Sequence, residues 1–136
     1  SNGSSVLECW QLATPFSISH DPGTSGSAAL QLGNLANATY TVLPPRFEGG
    51  LHKAPYLQYV AFTSGLANIT LPNSTDHVLV HGGAKGLIIA ADYHDSNGHI
   101  TTYPGNTSTI ALQIPIANNT APPHIVLHSG ACSRNE

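Results

Sequence analysis

The stretch QYVAFTSGLANITLP, from Gln58 to Pro72, is where the fold of this chain can be read most directly. Ala67, Ile69 and Leu71 alternate with Asn68 and Thr70. That period of two belongs to a strand with one buried and one wet face, and it places Asn68 on the solvent side. The preceding run, Leu57–Thr63, is rich in β-branched and aromatic residues, which fit a pleated surface. Ser64-Gly65 lies between the two runs and reads as a turn. Two strands with a tight connection are therefore predicted.

Outward from this pair the pattern repeats. β-prone runs occur at Ala28–Leu32, Ala38–Leu43, His77–His81, Leu87–Ala91, Ile100–Tyr103, Thr109–Ile116 and Ile125–His128. Their separators include Pro44-Pro45, Gly49-Gly50, Pro72-Asn73, Gly82-Gly83, Asn97-Gly98, Pro104-Gly105 and Pro122-Pro123. In Thr109–Ile116, Ile110, Leu112, Ile114 and Ile116 share one face, while Thr109, Ala111 and Gln113 share the other. No stretch has helical periodicity and no capping box opens one. Eight or nine such strands predict an all-β sandwich or barrel. At 136 residues the chain reads as a single domain, 1–136, able to bury roughly two-thirds of its unfolded surface. Residues 1–25 are rich in Ser, Gly and Pro and read as an N-terminal arm with one strand around Cys9–Leu12.

Only 8% of the residues are charged, against a usual ~25%. Four basic residues (Arg46, Lys53, Lys85, Arg134) form no run that would neutralise phosphates, which argues against nucleic acid as a partner. No apolar run is long enough to span a membrane and no basic amphipathic face would coat one. Six Asn-x-Ser/Thr sequons, at Asn2, Asn37, Asn68, Asn73, Asn106 and Asn118, all lack Pro in the middle position. So many in a chain so short of charge point to a glycosylated, secreted, extracellular protein. Ser1 is then expected to be a mature N-terminus left by signal-peptide removal, or a residue left by recombinant expression. Cys9 and Cys132 stand near opposite ends, and the termini of compact domains lie close together. A disulfide between them is expected, two buried free thiols being the alternative.

Eight histidines against seven acidic residues is an unusual ratio. HKAPYLQYVAFTSG runs from His52 to Gly65, and GLIIAADYHDSNGHIT from Gly86 to Thr101. Together they resemble the two motifs of the cupin family, and the resemblance covers residues 45–116, the cupin-like core. His52 matches the first metal-binding His of the first motif, Ala54 falls on the second, Gln58 on the Glu and Gly65 on the closing Gly. Gly86 and His99 fit the ends of the second motif, with Asp92 where the family has Pro. The resemblance implies a cupin-like jelly-roll barrel of antiparallel strands holding a small-molecule or carbohydrate ligand in its mouth. It also implies a reduced metal site of His52, Gln58 and His99. Imidazoles with an amide oxygen suit a divalent transition metal such as Zn, Cu, Mn or Fe. Strand parity, carried from His52 through Gln58 to Val60 and Phe62, predicts that these side chains face the core together, with Tyr59 on the outer face. Asp92 and His94 are further ligand candidates.

With such a metal the chain would be an isomerase, lyase or dioxygenase. A rival reading is a non-catalytic extracellular glycan-binding, cell-surface or effector protein, with Trp10, Tyr40, Tyr56, Tyr93 and Tyr103 as stacking platforms. Other chemistries lack their residues. No G-x-S-x-G elbow, phosphate loop or H-E-x-x-H is present, and Glu8, Glu48 and Glu136 are not placed as a glycosidase pair. A copper site built on a terminal His amine is excluded by Ser1. His77 with His81, and His124 with His128, alternate along strands and read as half-exposed strand residues; the other reading is pH- or metal-sensitive surface pairs.

Overall fold

A computed structural model describes residues 3–94, 96–133 and 135–136. Among these residues twelve strands are formed: β1 (Glu8–Leu12), β2 (Ser17–Ile18), β3 (Ala28–Ala29), β4 (Thr39–Leu43), β5 (Glu48–His52), β6 (Gln58–Ser64), β7 (Leu66–Thr70), β8 (His77–His81), β9 (Leu87–Ala90), β10 (His99–Thr102), β11 (Thr109–Pro115) and β12 (His124–Ser129). The only helical element among the described residues is a 3-10 turn at Ala117–Asn119. The all-β prediction holds.

The pairing is nested. β7 pairs with β8 across the Pro72–Asp76 turn, and around that turn β6 pairs with β9, β5 with β10 and β4 with β11, all antiparallel. Outermost, β1 pairs with β12. Two further pairings, β10 with β7 and β11 with β6, join these hairpins into two four-stranded sheets of order β5-β10-β7-β8 and β4-β11-β6-β9. Neither sheet closes on itself, so the architecture is two open antiparallel sheets.

Val60 and Phe62 of β6, Ala67 and Ile69 of β7, Val80 of β8 and Ala111 of β11 form one buried cluster, which shows the sheets packed face to face. A second cluster lies on the other side of β6, where Leu57, Tyr59 and Ile116 are covered by Leu32, Ile89, Tyr93 and Ile114. Tyr59 does sit on the face opposite Val60, but it is only 1% exposed, and its hydroxyl donates to the Leu32 carbonyl at 3.1 Å. β6 is thus buried on both faces. The β6–β7 turn requires Gly65, whose φ is +91° and where a Cβ would run into Thr109.

The Cys9–Cys132 disulfide is formed beside the β1–β12 pair and fastens the open end of the nest. Residues 3–25 are consequently more than a loose arm. β1 is paired along its whole length, and β2 pairs with β3 across a turn in which Ser19 is buried against Thr24.

A candidate metal site at the His52–His99 pair

β5 was not legible as a strand, because Glu48-Gly49-Gly50 reads as a turn. It is an edge strand, exposed throughout, and pairs only with β10. Register sets its last residue, His52, directly opposite His99, the first residue of β10. The imidazole centroids are 4.6 Å apart with the rings tilted by 59°. Gly98 makes this approach possible. Its φ is +84°, and a Cβ there would stand 2.6 Å from the His52 carbonyl oxygen.

Each Nδ1 of the pair has an oxygen partner. His52 Nδ1 lies 2.9 Å from the Gly50 carbonyl and His99 Nδ1 lies 2.6 Å from Asp92 Oδ2. A carbonyl only accepts, so the His52 ring donates from Nδ1. Burial pushes the Asp92 carboxyl up. The hydrogen bond and charge of His99, the Ser5 hydroxyl and the Ala54 N–H outweigh it, leaving Asp92 below its ordinary 3.8. Asp92 is therefore a carboxylate at neutral pH, an acceptor, and His99 also donates from Nδ1. With Nδ1 so engaged, Nε2 is the nitrogen of each ring for which the described residues supply no partner. Ligating histidines are oriented in this way, with the far nitrogen tied to a carbonyl or carboxylate.

Asp92 is itself fixed. Ser5 Oγ donates to it at 2.9 Å, and the Ala54 N–H at 3.2 Å. Ser5 Oγ also meets Ser96 Oγ at 2.6 Å, and the Ser5 N–H donates to Asn97 Oδ1 at 3.0 Å. The N-terminal segment thus props the loop that delivers His99, a role that no local sequence signal announced. Asp92 is a support for His99 rather than a third donor to a common point. Among the described residues, the only trio of His, Cys, Asp or Glu with donor atoms within 4.8 Å of one another is Cys9, Cys132 and Glu136, whose sulfurs are taken up by the disulfide.

The structure therefore brings together His52 and His99 of the expected set but does not join Gln58 to them. Gln58 opens β6 in the other sheet, between Pro115 and Ala90, is 5% exposed and makes no hydrogen bond to either ring. The parity argument fails because residues 53–57 are a loop that leaves one sheet and enters the other, resetting the phase. Gln58 keeps the core-facing phase of Val60, while His52 is exposed. Nor does the histidine pair open into either of two surface clefts, of about 360 and 200 Å³. The smaller has Ser5 and Asn97 in its wall and so abuts the Asp92 network.

The other candidates divide by exposure. His77 and His81 point outward on β8. His124 stacks on Trp10 with centroids 3.5 Å apart, and His128 pairs with Glu136 at 2.9 Å. Tyr40 and Tyr56 are exposed, whereas Tyr103 packs on the core beside Phe47. Asn37, Asn73, Asn106 and Asn118 are exposed. Asn68 is half-buried on the outer face of β7, as its alternation predicted, with Oδ1 enclosed and unpartnered. Asn2 lies outside the described residues. No family model matches the chain, and no curated protein matches it in sequence.

Proposed function

We propose that this is a secreted, glycosylated, cupin-like jelly-roll protein that binds a small molecule or sugar-derived ligand, with a divalent transition metal held by His52 and His99. The observation that carries the reading is the pair itself: two imidazoles side by side across neighbouring strands, each tied at Nδ1 and with no partner at Nε2 among the described residues. Two imidazole nitrogen donors suit Zn or Cu above Mn, which prefers oxygen. Such an ion would act as a Lewis acid or redox centre with most of its coordination positions open to a ligand. The chain's own contribution is orientation, through Gly50 and Asp92, and a compensating negative charge from Asp92. Gln58, buried on the facing sheet, has no part in this reading.

The nested pairing supports the jelly-roll assignment. An eight-stranded antiparallel hairpin rolled on itself produces two Greek keys in two sheets, with first strand against last and second against seventh. β4 to β11 pair in that order. Secretion is supported by the disulfide, which persists in oxidising compartments, and by four exposed sequons. A non-catalytic extracellular binder is the second reading, favoured by the absence of the histidine pair from both clefts.

The test is metal content, by mass spectrometry, of secreted protein purified without chelator or affinity tag, beside a His52→Ala/His99→Ala variant. Near-stoichiometric Zn or Cu that disappears in the variant is expected. No metal in the unaltered protein, even after soaking with Zn, Cu, Mn and Fe, overturns the metal reading and leaves the binder.

A further inference from the structure

The larger cleft lies away from the histidine pair. It is bounded by the end of β1, the Gln31–Asn34 segment and the chain that follows β11. We propose that this cleft is a separate binding site for a neutral carbohydrate, one or two sugar units long. Its size, about 360 Å³, falls at the lower end of the range of small-ligand sites.

Three features decide the ligand class. First, none of the residues lining the cleft is charged, and none is histidine. A charged ligand would find no counter-charge there, while an uncharged one avoids the large cost of desolvating an ion. Second, Gln31, Asn34 and Thr14 line the cleft, and their side chains make no hydrogen bond to another described residue. Each amide offers a donor and an acceptor side by side, the complement of two adjacent hydroxyls on a sugar ring. Third, apolar surface from Leu12 and Pro122 interleaves with these groups, matching the C–H faces of the same ring. Leu12 lies opposite His124, and His124 stacks on Trp10, so an aromatic pair flanks this wall.

The walls are held in place by backbone bonds. Ala117 N–H donates to the Asn34 carbonyl at 3.0 Å, Ala36 to Pro115 at 2.8 Å and Ala13 to Pro123 at 2.8 Å. Asn118 and Asn119 both take left-handed backbone angles, with φ of 63° and 48°. Asn119 Oδ1 accepts the Leu57 N–H at 3.3 Å, which anchors that turn. A site held rigid before binding loses less ordering entropy when the ligand arrives.

Trp10 is the only tryptophan in the chain, so its emission reports on this end of the molecule. The secreted protein, before and after enzymatic removal of N-glycans, is titrated with cellobiose, xylobiose, mannobiose and N,N′-diacetylchitobiose. At least one sugar is expected to give a saturable emission change and to shift the side-chain amide signals of Gln31 and Asn34 in an isotope-labelled sample. Asn34→Ala and Gln31→Ala are each expected to weaken binding by about tenfold. Binding is expected to survive in the His52→Ala/His99→Ala variant, which separates this site from the metal reading. The proposal is overturned if no sugar shifts either signal up to about 50 mM. It is also overturned if the two amide variants bind as well as the parent, or if the histidine variant abolishes binding while remaining folded.

Discussion

Gly98→Ala tests whether the site geometry depends on the close approach of β10 to β5. The residue has φ +84°, and its added Cβ would sit 2.6 Å from the backbone carbonyl oxygen of His52, whereas ordinary contact begins near 3.4 Å. Two costs follow. An L-residue with a left-handed φ loses roughly 1–2 kcal/mol. Forcing an atom against a backbone that cannot swing aside adds roughly 1–3 kcal/mol. The control is Gly130→Ala, at φ +86° with nothing within 4 Å, which incurs the first cost without the second. Thermal unfolding of the two variants should then differ by roughly 3–15 °C, taking 3–5 °C per kcal/mol for a domain of this size. The relief available to the chain is to part the end of β10 from β5, which moves the His99 ring from the His52 ring. Metal affinity, measured by competition with a chromogenic chelator, should fall about tenfold in Gly98→Ala and stay unchanged in Gly130→Ala. If the two alanine variants melt together and bind metal alike, the clash is not felt and the claim that Gly98 sets the pair is wrong.

Reducing the Cys9–Cys132 disulfide releases a closed loop with a sequence separation of 123 residues, which the chain-entropy relation values at about 5 kcal/mol. Urea unfolding of oxidised and reduced protein should show that loss together with a larger m-value for the reduced form, whose unfolded chain is freer to expand. A loss under ~1 kcal/mol would mean that the unfolded chain stays compact without the bridge. The exposed His128–Glu136 pair gives a pH window. Hydrogen bonding to the Ser129 carbonyl and to Glu136 raises His128 above 6.5, and the Ser133 N–H and His128 lower Glu136 from 4.5 to about 2. The His128 contribution is complete below 6.5 and lost as pH rises through its raised value. The Glu136 contribution is complete above 4.5 and lost as pH falls towards about 2. Protection of the C-terminal backbone amides from hydrogen exchange should therefore be greatest between those limits. An NMR midpoint for His128 at or below 6.5 would contradict the pairing.

The strands that could be read in the sequence are those with one face in the core. β7 and β8 declare themselves by alternation, because Ala67, Ile69, Val78 and Val80 point inward while Asn68, Thr70, His77, Leu79 and His81 face outward. β5 has no inward face to betray it. Every residue is exposed, and at Gly49 a Cβ would stand 2.9 Å from the Thr101 carbonyl, so the strand needs glycine where a sequence reader expects a turn. β11 shows a subtler limit. Its two faces were legible, but its small-residue face, with Thr109 and Ala111 each 1% exposed, is the one sunk between the sheets. Its isoleucines pack instead with Leu32 and Tyr59 on the far side, or lie half-exposed. Period two gives the partition into faces, and only the second layer of covering chain decides which face is drier.

For the site, the spacing of the two motifs singled out two histidines that are neighbours in the fold, but the parity argument that joined Gln58 to them does not hold. Parity could not be carried from His52 to Gln58, because alternation is a property of one uninterrupted strand and Pro55 lies in the loop between two. What joins His52 to His99 is the nesting. In a chain folded as concentric hairpins, residues at similar distances on either side of the innermost turn become neighbours. Thr70 meets His77, Gln58 meets Ala90, His52 meets His99 and Leu43 meets Thr109 around the Pro72–Asp76 turn. The same rule brings Cys9 close to Cys132 at the outermost level. The histidine pair and the disulfide are therefore two readouts of one nested order of strand pairing. A residue inserted between His52 and Gln58 falls in a loop and is absorbed there, whereas one inserted inside β7 shifts every inward residue beyond it to the wet face.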